Sequence, residues 1–94
     1  MTSTAFSPTS ICSVSTDVVA RALHDETILL DLRSGTYYTL DGVGRFIWDR
    51  IGAGTPLKSI KDALLQEYDV SDEVAQRDLV AFVGTLIERG LVTV

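Results

Sequence analysis

The stretch GTYYTLDGVGRFIWDRI, residues 35–51, changes its period halfway along. Tyr37-Tyr38-Thr39-Leu40 reads as a strand and stops at Asp41. Val43, Phe46, Ile47 and Ile51 then recur at helical spacing. A strand that runs straight into a helix meets it at a corner, and the open question is what covers the strand. If the chain covers every side, the paired tyrosines are core. If one edge is left bare, the strand is a docking surface.

The segments on either side supply the rest of the frame. Val18 to Leu23 and Thr27 to Leu32 are β-friendly runs separated by His24-Asp25-Glu26, which predicts a hairpin. Arg33-Ser34-Gly35 is the next turn, and Thr36 to Leu40 the third strand of a meander. The first helix starts near Asp41 as N-cap and ends at Ile51, before Gly52-Ala53-Gly54. Thr55 and Pro56 announce the second helix as N-cap and first helical residue, with Leu57, Ile60, Leu64 and Tyr68 as its stripe and Leu65 widening it. Ser71 opens the third, Asp72 and Glu73 suit the positive end of its dipole, and Gly90 follows Arg89 as its terminator. Leu91 to Val94 is a short apolar tail that can pack back or add an edge. The prediction is an α+β domain over residues 17–94: a three-stranded antiparallel sheet followed by three helices, in a winged-helix-like packing. Residues 1–16, rich in Ser and Thr and without periodicity, read as a flexible tail.

Size and charge narrow the function. Ninety-four residues make one domain. No apolar run approaches the ~18 residues of a membrane span, and the first residues lack a signal-peptide pattern, so a soluble, cytoplasmic protein is expected. The single cysteine, Cys12, permits no internal disulfide, which agrees with a reducing compartment. A formal net charge of −5 with Lys and Arg scattered singly argues against nucleic acid, whose binders concentrate basic residues to meet phosphates. A winged-helix regulator would need those residues on its recognition helix. The third helix instead carries Asp72, Glu73, Asp78 and Glu88 against Arg77 and Arg89.

Catalytic chemistry is not evident. The only thiol, Cys12, lies in the expected tail as a free surface group, and the only imidazole, His24, lies in a turn. One Cys and one His cannot complete a Cys/His metal site. Asp25-Glu26 and Asp72-Glu73 sit where acids solvate turns or cap helices. Gly42 and Gly44 lack the third glycine of a phosphate loop, since Ile47 stands in its place. Gly42 is more simply a tight corner. Trp48 and the tyrosines read as buried or half-buried aromatics. Neither enzyme, cofactor nor metal is expected.

The third helix is broader in apolar character than one packed face requires. Leu79 centres a stripe completed by Ala75, Phe82, Val83 and Leu86. Val74, Asp78, Ala81 and Thr85 fall on one shoulder, and Val80 and Ile87 on the other. Either the second helix and the C-terminal tail cover the excess, or a partner does.

Taken in order, LLDL-x-x-G-x-YY-x-LD-x-x-G-x-x-IW-x-x-I, then TPLKSI, Tyr68 and a final LIERGLV, the chain from residue 17 to 94 resembles the PqqD-like family of RiPP precursor recognition elements. In length it is most similar to the stand-alone recognition proteins of lasso-peptide biosynthesis. The resemblance implies a non-catalytic protein that binds the leader of a ribosomally made precursor peptide and presents it to modifying enzymes. It implies that the leader adds as a strand beside Thr36, Tyr37, Tyr38, Thr39 and Leu40, in a groove walled by Val74, Arg77, Asp78, Ala81 and Phe82 of the third helix. Implied partners are a cysteine-protease-like leader peptidase and an ATP-dependent cyclase, or a radical-SAM enzyme if the chain acts as a PqqD-type chaperone. An adaptor docking a folded protein through the same edge is a further alternative.

Overall fold

Strand alternation builds the sheet. In the computed structural model, which describes residues 9–94, β2 (Val18–Ala22), β3 (Glu26–Asp31) and β4 (Thr36–Asp41) form an antiparallel sheet in that order. The middle strand β3 buries Thr27, Leu29 and Asp31 on one face. Its register places Leu29 between Ala20 of β2 and Tyr38 of β4. That face packs on α1 (Gly42–Gly52), and α2 (Leu57–Glu67) and α3 (Asp72–Glu88) complete the core beside it. The core between them is Leu29, Ile47, Trp48, Ile51, Leu57, Ile60, Leu64, Ala75, Leu79, Val83 and Leu86. The expected sheet followed by helices is present.

Two glycines make the corners. Gly42, at φ +50°, turns β4 directly into α1, a conformation that residues with a Cβ adopt only at a cost. Gly90, at φ +74°, ends α3: its amide donates to the Ile87 carbonyl at 3.0 Å and the next amide, of Leu91, to Leu86 at 2.9 Å. Buried Leu86 and Leu91 flank this terminator. At the other end of α3 the Ser71 side chain accepts the Val74 amide at 3.1 Å, as its position before Asp72 and Glu73 predicts. Phe46 of α1 meets Tyr68 edge-on at 5.5 Å, with the Arg50 guanidinium over the Phe46 ring.

Three expectations need correction. Asp41 stands at the N-cap of α1, but its side chain caps no amide. Helix α2 begins one residue later than expected. Pro56, with an extended ψ of 148°, takes the N-cap place assigned to Thr55, and the Leu57 amide is taken by the Ser10 carbonyl at 3.0 Å. That bond belongs to the third correction. The described part of the expected tail, residues 9–16, is docked: Ser13–Val14 (β1) pairs antiparallel with Val92–Thr93 (β5). Cys12 is consequently buried at 3% exposure rather than a surface thiol, and burial pushes its pKa up. The C-terminal segment packs back as its apolar residues allow, with Leu91 and Val92 buried, and its pairing with β1 makes a separate two-stranded sheet. Residues 1–8 of the expected tail lie outside the described residues.

Candidate functional site

β4 pairs with β3 on one side and with no described strand on the other. Which of its groups face the bare side follows from alternation. The Glu26 carbonyl accepts from Leu23, on the β2 side of β3, so Thr27, Leu29 and Asp31 turn their backbone groups toward β4. The Gly35 amide donating to the Asp31 carbonyl at 2.7 Å agrees with that assignment. Their partners Leu40, Tyr38 and Thr36 are therefore spent on the ladder. Tyr37 and Thr39 present N–H and C=O outward. The side chains alternate too: Tyr38 and Leu40 pack against the core, while Tyr37 is 68% exposed. The two tyrosines thus have different surroundings, and Arg89 of α3 lies over the Tyr38 ring at 5.5 Å.

Beyond the end of β4 a groove of about 400 Å³ opens between α1 and α3. Val43, Gly44 and Ile47 form one wall, and Asp78, Ala81, Phe82 and Thr85 the other. Its width at the Phe82 end depends on Gly44. A Cβ there would stand 3.3 Å from the Phe82 ring and 3.9 Å from Leu40 Cδ2, so glycine lets Phe82 seat against α1 close to the strand. Leu40 is the link between bare edge and groove.

The residues singled out from sequence divide accordingly. Asp78, Ala81 and Phe82 lie in the groove together. Thr36 to Leu40 form the neighbouring edge strand without lining it. Val74 is half-buried one turn before Asp78, and Arg77 is exposed beside Asp78, its Nε 3.7 Å from the carboxylate; neither lines the groove. Val43, Gly44, Ile47 and Thr85 were missed. Thr85 shared the shoulder of Val74, Asp78 and Ala81, so a signal for it existed. Val43 reads as core but is 39% exposed, because periodicity does not distinguish a core position from a groove wall; Ile47 is buried in the core as expected and also borders the groove.

The chemistry of this surface is that of binding. It offers backbone donors and acceptors, apolar walls and one carboxylate. Among the described residues no group of three or more His, Cys, Asp or Glu side chains could hold a metal ion. His24 is exposed in its turn, where its carbonyl accepts from Arg45 at 3.1 Å.

Residues 26–92 match the family model described as coenzyme PQQ synthesis protein D (PqqD). No curated protein sequence matches. Of solved structures, "TbiB1 in Complex with the TbiA(beta) Leader Peptide" is 38% identical, with a TM-score of 0.82 over 85% of this chain and 93% of that one. "Lasso peptide synthetase B1 complexed with the leader peptide" is 27% identical, with a TM-score of 0.83 over 90% of this chain and 100% of that one.

Proposed function

The chain belongs to the PqqD family, and on that premise we propose that it is a non-catalytic recognition protein for the leader of a ribosomally made precursor peptide. The leader adds antiparallel to β4, bonding to the outward groups of Tyr37 and Thr39, and its apolar side chains enter the groove between α1 and α3. The observation that carries this reading is the bare edge of β4 ending beside that groove, joined to it through Leu40, Gly44 and Phe82. Likeness to two proteins solved with leader peptides supports it. Backbone bonds of this kind add roughly 0.5–1.5 kcal/mol each, so a short edge supplies modest affinity and the groove supplies selectivity.

The name of one of those structures, lasso peptide synthetase B1, favours a lasso-type pathway over a partnership with a radical-SAM enzyme. The loaded protein then hands the leader to a cysteine-protease-like peptidase and an ATP-dependent cyclase in the cytoplasm. A calorimetric titration with the leader half of the precursor peptide encoded beside this chain's gene tests the reading. The leader half should bind one to one and the core half should not. Failure of the leader half to bind, or equal binding of both halves, would overturn it.

A further inference from the structure

Among the described residues, Asp78 is the one charged residue that lines the groove. No structural duty accounts for it. It lies in the second turn of α3, behind Asp72 and Glu73, which already occupy the dipole's positive end. The residues three and four positions away, Val74, Ala75, Ala81 and Phe82, offer no cation. Its ion pair is with the adjacent Arg77, at 3.7 Å with side chains 71% and 56% exposed, a geometry that contributes little in water. The remaining lining is apolar or small apart from Thr85, whose hydroxyl donates to the Ala81 carbonyl at 3.0 Å.

A peptide laid in this groove strips water from the carboxylate, and a stripped carboxylate is costly unless a cation or donor replaces the water. We infer that Asp78 is a specificity-determining residue that selects leader segments carrying a lysine or arginine beside the apolar side chains seated between α1 and α3. This rests on the leader-binding reading and names a chemical class for the ligand. The net charge of −5 favours approach of such a segment as well.

The test is a displayed library of random 15-residue peptides, selected separately on the wild-type chain and on Asp78→Lys. Wild-type selections should carry Lys or Arg at a fixed spacing from an apolar pair, and the Asp78→Lys selections should carry Asp or Glu at that position. The best wild-type peptide should lose about 3- to 10-fold in affinity to Asp78→Asn, a loss that shrinks toward zero in about 1 M salt. The Asp78→Asn measurement also decides the matter if Asp78→Lys does not fold. If both proteins select the same residues at every position, or if Asn costs nothing, the role of Asp78 is overturned while leader binding stands. If neither protein yields a peptide that protects the amides of β4, leader binding itself fails, and this inference with it.

Discussion

Ala81 leaves space in the wall of α3 between Asp78 and Thr85, and it is exposed, so that space is not needed for the core. Ala81→Phe should fill the groove and weaken leader binding more than about tenfold, while circular dichroism and melting temperature stay near wild type. Unchanged affinity would place the leader elsewhere. A different residue governs the acid limit of the fold. Asp31 is buried at 4% exposure, and its carboxyl is held below the usual carboxylate range. The main cause is the Arg33 amide, which donates to Oδ1 at 3.0 Å; burial opposes this, and the Arg33 guanidinium at 3.5 Å reinforces it. The unfolded chain therefore takes up this proton before the folded chain does. The resulting stability is fully present above the ordinary aspartate value of about 3.9 and is lost as pH falls through the lower folded value. Urea unfolding below about pH 4 should show a shallower decline for Asp31→Asn than for wild type, and parallel declines would contradict the assignment.

Among the elements, β4 makes the sharpest demand, because its neighbouring residues have opposite duties. Thr39→Pro removes an outward donor and should leave the fold in place while weakening leader binding by about fivefold or more. Tyr38→Pro removes a donor to β3 as well as a packed ring, and should unfold the domain or lower its melting temperature steeply. The reverse pattern would mean that the strand faces the other way. Much of this was legible beforehand. The aromatic run ending at Asp41, the Ser71 cap and the Gly90 terminator are local signals, and each appears where the residues put it. What stayed hidden was relational. Two-residue strands such as Ser13–Val14 and Val92–Thr93 have no period to detect, and their pairing joins opposite ends of the chain. That α1 forms the second wall of the groove depends on how α3 crosses it, which no local pattern encodes.

For the whole molecule, the pairing of β1 with β5 closes the N-terminal segment over Leu91 and Val92 and encloses Cys12. Removing residues 1–16 should cost about 2 kcal/mol or more, seen as a lower denaturation midpoint with leader binding retained at low temperature. An unchanged midpoint would show that the segment does not stabilise the fold. No helix among the described residues is long and apolar enough to cross a membrane. Among the described residues the sheet has a second unpaired edge along β2, whose Val19 is 50% exposed, so the choice between edges is the central claim of the account. Amide hydrogen exchange with and without the bound leader tests it most directly. Exchange should slow at Tyr37 and Thr39, and chemical shifts should move at Val43, Ile47, Asp78, Ala81, Phe82 and Thr85. Protection along residues 18–22 or on α2, with the amides of Tyr37 and Thr39 left exchanging freely, would contradict the account.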